Sequence, residues 1–178
     1  MRKDSAMKDT VSTRYVLSTG AVAIIAGAVL AVVLFDGAPT KASDDDYFQP
    51  VQDEIVKSEC SECHMAFPPG MLPARSWQKI VAGLEDHFGE NASLAPVTTR
   101  HITEYLVANA ADAGGNSSGV LRGLDEADTP VRISEMPWWV REHREEIRDG
   151  AFQDPRVGSK AACTACHVGA EQGVFEDD

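Results

Sequence analysis

The chain has four cysteines, and all of them fall in two copies of one pattern: Cys60-Ser61-Glu62-Cys63-His64 and Cys163-Thr164-Ala165-Cys166-His167. In a C-x-x-C-H pentad two thiols can add across the two vinyl groups of a haem, and the following histidine is placed to ligate the iron from one axial side. Two pentads with no cysteine left over imply two covalently bound haem c groups. Cys60, Cys63, Cys163 and Cys166 would attach them, and His64 and His167 would each supply one axial ligand. Other chemistries also use paired cysteines. A thioredoxin-like dithiol wants a βαβ setting, and neither pentad is flanked by alternating strands and helices. A tetrahedral zinc site built from the two Cys pairs leaves both following histidines without a role.

An iron held in this way has a second axial position, and three histidines remain to fill two of them: His87, His101 and His143. Ser76 suits the N-cap of a helix running to about Phe88, with Gly89 placed to end it. Along that helix Trp77, Ile80, Val81, Leu84 and Phe88 recur at three- and four-residue steps, and His87 points from the same apolar face. It is either a ligand or a core histidine bonded to backbone. A second helix starts at Pro96, a good first-turn residue, and its apolar face centres on Ile102, Tyr105 and Leu106. His101 lies at the margin of that face, the weaker ligand candidate and otherwise a hydrogen-bonded surface histidine. In a third helix, entered through Pro137, Val140, His143 and Ile147 share a stripe flanked by Trp139, so His143 is the distal candidate for the second haem, or else a core or surface histidine.

The rest of the chain has to deliver these groups. Val51 to Glu59 forms a short helix leading into Cys60, and the proline-rich loop Met65–Pro73 should lie against the first haem. Met71 in that loop and Met136 before Pro137 are settings from which a thioether could reach iron, or else ordinary apolar fillers. Trp77, Trp138 and Trp139 suit haem packing or ordinary core packing, and Arg75, Arg141 and Arg144 could pair with haem carboxylates or lie solvated at the surface. Ala113–Gly119 is small and polar with no apolar period, and it separates the two haem regions. The tail beyond Gly173 is acidic and should be loose. The domain organisation is therefore a leader over residues 1–43, a first haem module over 44–111, a linker over 112–128 and a second haem module over 129–178.

Val16 to Phe35 carries no charge over twenty residues, enough at about 1.5 Å per residue to cross a membrane. Arg2, Lys3, Lys8 and Arg14 precede it, so the remainder is exported. Its length favours a retained anchor, whereas its Ala/Gly richness and Thr40-Lys41-Ala42 suit a processed signal. From Ser43 onward there are 11 basic against 25 acidic side chains, a net of −14. That surface repels nucleic acid and favours a basic partner.

Both pentads together with CSECHMAFPPGMLPARSW, LEDHFGENASL and PWWVREHREEI resemble the bacterial dihaem cytochrome c family over about residues 58 to 175. The resemblance implies a mostly α fold, with an N-terminal module that varies the class I cytochrome c fold and a C-terminal haem module unlike it. It implies His64 and His87 on one iron, and His167 and His143 on the other. As partners it implies a membrane cytochrome b that passes electrons from quinol, and a small periplasmic haem protein as acceptor. The site would lie on the periplasmic side of the cytoplasmic membrane, anchored, or soluble if the leader is cleaved. Bis-histidine ligation closes both axial positions, which favours an electron carrier over an enzyme. The rival reading is a dihaem peroxidase or small oxyanion reductase with one open haem site, and the chain is short for the acid/base groups that such chemistry needs.

Overall fold

The structure is a computed structural model that describes residues 47–114, 119–148 and 150–176. The leader, including Val16–Phe35, and most of the Ala113–Gly119 linker lie outside the described residues. Residues 39–178 form one compact unit, and the other unit, residues 1–38, lies wholly outside the described part. Among the described residues four α-helices carry the fold: α1 (Glu54–Cys60), α2 (Ala74–Ala82), α3 (Pro96–Ala108) and α4 (Pro137–Glu146). Short 3-10 turns join them, and among the described residues there are two isolated β-bridges and no strands. No described helix is long and apolar enough to cross a membrane.

The first three helices form a small bundle. Asp53 accepts the Ile55 and Val56 amides and starts α1, three residues later than the apolar pattern suggests, because a carboxylate cap fixes the first turn. Helix α2 lies on α3, and α1 also touches α3. Ile102 and Leu106 bury the inner face of α3, while Trp77 and Val81 do so for α2. The Tyr105 hydroxyl accepts the Gln52 amide at 2.7 Å and so ties α3 to the approach to α1. The Met65–Pro73 loop is core: Pro68, Pro69, Met71, Leu72 and Pro73 are all buried, and Trp77 donates its indole N–H to the Pro69 carbonyl at 2.7 Å.

Two expectations are corrected here. Ser76 is not a cap, since α2 begins at Ala74, where Asp112 accepts the Ala74 amide at 2.7 Å and Ser76 sits fully buried inside the helix. Nor does α2 reach Phe88. It stops at Ala82 because Gly83 follows, and Leu84–Asp86 tightens into a 3-10 turn; a mid-run glycine is a weak helix former and a ready C-terminal residue.

Residues beyond the linker fold back onto this bundle. Arg75 donates to the carbonyls of Asp128 and Asp125 at 2.6 and 3.1 Å, which anchors residues 125–128 to α2. Met136, Trp138 and Trp139 join the same hydrophobic cluster as Phe48, Met71 and Leu72, so the stretches 44–111 and 129–178 share a core. On α4 the buried positions are Trp138 and Trp139, with Val140 left 44 % exposed. The stripe expected through Val140 is therefore rotated, because two adjacent indoles bury far more area than one valine.

The ends of the described chain meet. Tyr47 bridges to Val174, and the Phe48 amide donates to the Gly173 carbonyl at 2.8 Å. The Phe175 ring meets Phe48 edge-on at 5.8 Å. The tail to Glu176 is thus docked rather than loose, since it supplies an aromatic ring that the core takes up.

Candidate functional site

The two pentads are presented by different local structures. Cys60 is the last residue of α1, and the Ser61 amide closes the helix onto the Lys57 carbonyl. Cys163 instead opens a 3-10 turn, from which the Cys166 and His167 amides both bond back to the Cys163 carbonyl. In each pair the first cysteine is half-buried and the second exposed. Burial pushes the Cys60 and Cys163 thiols up, with Glu59 adding to the effect at Cys60. Among the described residues no three His, Cys, Asp or Glu side chains converge as a metal site.

Each pentad histidine has one partner across a gap. The His64 and His87 rings lie 6.2 Å apart between centroids, and those of His143 and His167 lie 6.1 Å apart. With about 2.0–2.1 Å from metal to imidazole nitrogen on the zinc scale, and about 1.1 Å more to each ring centre, two rings sharing one metal atom stand about 6.2–6.4 Å apart. Both pairs fit one iron.

The outer nitrogens are spoken for as well. His64 Nδ1 lies 2.7 Å from the Met65 carbonyl, His143 Nδ1 2.9 Å from the Trp139 carbonyl, and His167 Nδ1 3.4 Å from the Glu176 carbonyl. A carbonyl can only accept, so each Nδ1 carries the proton and each Nε2 presents a lone pair. Burial holds His87 below the usual imidazole range, with the neighbouring His64 and the Arg132 guanidinium acting in the same direction. That disfavours the protonated ring, the form that cannot ligate.

His87 reaches its place by a route the helical pattern does not contain. It opens a tight turn: its amide donates to the Glu90 carbonyl at 2.7 Å and its carbonyl accepts the Glu90 amide at 3.2 Å. Between them Phe88 and Gly89 both have positive φ, 58° and 101°, the signature of a type I′ turn. A bulky residue there is a true outlier, and such strain gathers at functional sites. The Arg132 guanidinium caps the Phe88 ring at 4.1 Å.

The second pair borders a cavity of about 790 Å³, whose lining includes Cys163, Cys166, Phe48, Met71, Trp138 and Phe152. That volume lies within the range of ligand and cofactor pockets. Its walls are mostly apolar and aromatic, while Arg148 and Lys160 stand at its edge, able to meet the carboxylates of a haem. Trp138 on the same wall has a buried indole N–H that lacks a partner among the described groups. Such an orphan donor suits an acceptor on a bound group.

His101 belongs to neither pair. Its Nε2 donates to Asp53 at 2.9 Å, so it braces the N-cap of α1 as a surface histidine. Met71 borders the second cavity from the shared core, and Met136 is fully buried. Arg75 is engaged with backbone, and Arg141 pairs with its neighbour Glu142 at 2.9 Å. Sequence reasoning missed Phe48, Phe175, Arg132, Arg148 and Lys160. Phe175, a lone aromatic in an acidic tail, carried the one available signal.

A family model described as dihaem cytochrome c matches residues 56–175. The chain is similar to the solved diheme cytochrome c from Rhodobacter sphaeroides, with 48 % identity, a TM-score of 0.68, and coverage of 71 % of this chain and 99 % of that one. It is also similar to a diheme cytochrome type c from Shewanella baltica OS155, with 39 % identity, a TM-score of 0.57, and coverage of 71 % and 89 %. No curated protein matches.

Proposed function

The chain belongs to the dihaem cytochrome c family, and from that membership we propose that it is an electron carrier whose two haems are both closed by histidine on each side. Two covalently bound c-type haems come with the family. The haem supplies one-electron cycling of its iron; this chain's residues decide what else can reach it. The observation that carries the reading is the matched spacing of His64–His87 and His143–His167, 6.2 and 6.1 Å. We assign His64 and His87 to the first iron and His167 and His143 to the second.

With histidines closing both sides of each iron, small molecules would have no place to bind and no substrate chemistry would start there. Backbone carbonyls hold the imidazole protons at Nδ1 of His64, His143 and His167, so the rings keep one tautomer and orientation through a change of iron charge. Phe67 stacks on His64 at 4.7 Å, and Phe175 meets His167 at 5.5 Å. Each ring covers part of its ligand imidazole.

The finer reading has the carrier on the periplasmic side, tethered by Val16–Phe35 where that segment is retained. A class I-like N-terminal module and a differently built C-terminal one would each hold a haem, as the opposite order of pentad and distal histidine in the two halves suggests. A membrane quinol-linked cytochrome b is the proposed donor and a small periplasmic haem protein the acceptor. The net charge of −12 favours partners that offer basic patches.

The test is spectroscopic. Both haems should be low-spin and six-coordinate when oxidised and when reduced, and the reduced protein should bind no carbon monoxide rapidly. A high-spin fraction on either haem, or turnover with peroxide, would overturn the carrier reading. Quinol-reduced membranes containing the cytochrome b should reduce the oxidised protein, and failure to do so would remove that donor.

A further inference from the structure

The two histidine pairs match in spacing and differ in orientation. The ring planes lie 34° apart for His64 and His87 and 77° apart for His143 and His167. The second angle has a visible cause on α4. One turn before His143, Trp139 lays its indole on the imidazole, with 3.9 Å between centroids and 13° between planes. The carbonyl of the same residue takes the His143 Nδ1 proton at 2.9 Å. The stack fixes the ring plane and the hydrogen bond fixes its edge, so rotation about the direction of the lone pair is resisted twice. Trp139 is itself held: it is 6 % exposed, Phe152 lies 5.6 Å away, and the Lys160 ammonium sits 5.5 Å from its ring centroid. The first site has a looser counterpart, with Phe67 on His64 at 4.7 Å and 23°.

We propose that Trp139 is a positioning residue that keeps His143 nearly crosswise to His167, and thereby gives the second haem an electronic ground state different from that of the first. The proposal rests on bis-histidine ligation. Each imidazole mixes its π orbital with whichever of two iron d orbitals lies across its ring plane. Parallel rings act on the same d orbital and split the two; crosswise rings act on one each and leave them close in energy. In the simplest treatment the splitting follows the cosine of the interplanar angle, roughly four-fifths of its maximum at the first pair and roughly one-fifth at the second. Low-spin ferric iron with well-split orbitals gives a rhombic electron paramagnetic resonance spectrum. With nearly equal orbitals it gives a strongly anisotropic one, dominated by a single large g value.

The experiment is low-temperature resonance of the oxidised dihaem protein. One rhombic and one large-g signal of equal weight are expected. His87→Ala should change the rhombic signal and leave the large-g signal in place. Trp139→Leu keeps the backbone carbonyl and removes the stack, so the large g value should fall toward the rhombic range while the optical spectrum stays low-spin. Trp139→Phe, which keeps a ring on His143, should restore it. Where Trp139→Leu does not accumulate, Trp139→Met removes the ring with less loss of volume. Two rhombic signals in the wild type would overturn the proposal, as would a large-g signal that moves with His87→Ala, or one indifferent to loss of the Trp139 ring. The near-infrared ligand-to-metal band separates the two levels of argument: a methionine or high-spin band defeats bis-histidine ligation, whereas two bis-histidine bands with two rhombic signals defeat only the role of Trp139.

Discussion

His87 shows how much a single proposed ligand depends on residues remote in sequence. Its ring faces His64, but what holds it there is a strained turn through Phe88, φ 58°, and a guanidinium from the far side of the linker resting on Phe88 at 4.1 Å. Residues in the left-handed region cost roughly 1–2 kcal/mol unless glycine, and the cation–π contact returns about 0.5–1 kcal/mol at an exposed site. Arg132 also brings a positive charge close to the first haem site, where it helps depress the basicity of His87. A cation beside an iron opposes the extra positive charge of the ferric state. Arg132→Gln is therefore expected to lower the first midpoint potential by tens of millivolts, on the order of a partly screened Coulomb term, and to leave the second unmoved. A spectroelectrochemical titration at low and high salt measures this, and equal shifts at both haems would refute it. The pentads themselves need no such help to be recognised, because C-x-x-C-H is a local pattern. Arg132 carries no local mark at all, since its role comes from the chain folding back.

At the scale of elements, what could be read from sequence was whatever short-range physics decides. Pro96 opens α3 and Pro137 opens α4 as their first-turn preference requires, and Ile102 and Leu106 face inward at helical spacing. Helix α2 ends before its apolar pattern does, because a run of apolar residues continues past Gly83 and periodicity alone does not register a break that leads into the turn carrying His87. Helix α1 presents Cys60, and its N-cap joins two elements: Asp53 accepts from Ile55 and Val56 and from His101 on α3. The Val56 amide, chiefly, and then the His101 contact hold the Asp53 carboxyl below its usual range. A carboxylate with a lowered folded pKa stabilises above its unfolded value, and that contribution is lost as pH falls through the folded one. Melting temperature should accordingly drop as pH is lowered below about 4, the ordinary aspartate value. Asp53→Ala should melt lower at pH 7 and show a shallower fall in that acid range, measured by circular dichroism against pH. An unchanged acid slope would mean that other carboxylates carry it.

For the whole molecule the consequential feature is that the described chain closes on itself. Phe48, ahead of α1, packs on Trp138 at 5.2 Å and on Phe175 at 5.8 Å, and Phe175 in turn meets His167. The stretch that leads into the first pentad thus walls the second site, and the residues after the second pentad hold that stretch in place. Sequence order suggested two haem modules in succession and offered no sign of this crossing, because it depends on one backbone bond and a few rings far apart in the chain. Gly173 is the point at which it can be tested. It has φ 82°, and a Cβ there would collide with the Phe48 carbonyl oxygen. Gly173→Ala therefore adds left-handed strain of roughly 1–2 kcal/mol to a backbone clash that can be relieved only by parting Phe48 from Gly173. A loss of about 2 kcal/mol or more is expected, several degrees in Tm for a unit of this size. Because Met71, Phe48, Met136 and Trp138 belong to one hydrophobic cluster, the loss should not stay at the second site. Denaturant unfolding followed separately at each haem, using the distinct resonance signals proposed for the two irons, should give coincident midpoints in the wild type and a joint shift in the variant. Two separated transitions, with only the second haem moved by Gly173→Ala, would show that the halves unfold independently and that the closure merely decorates them.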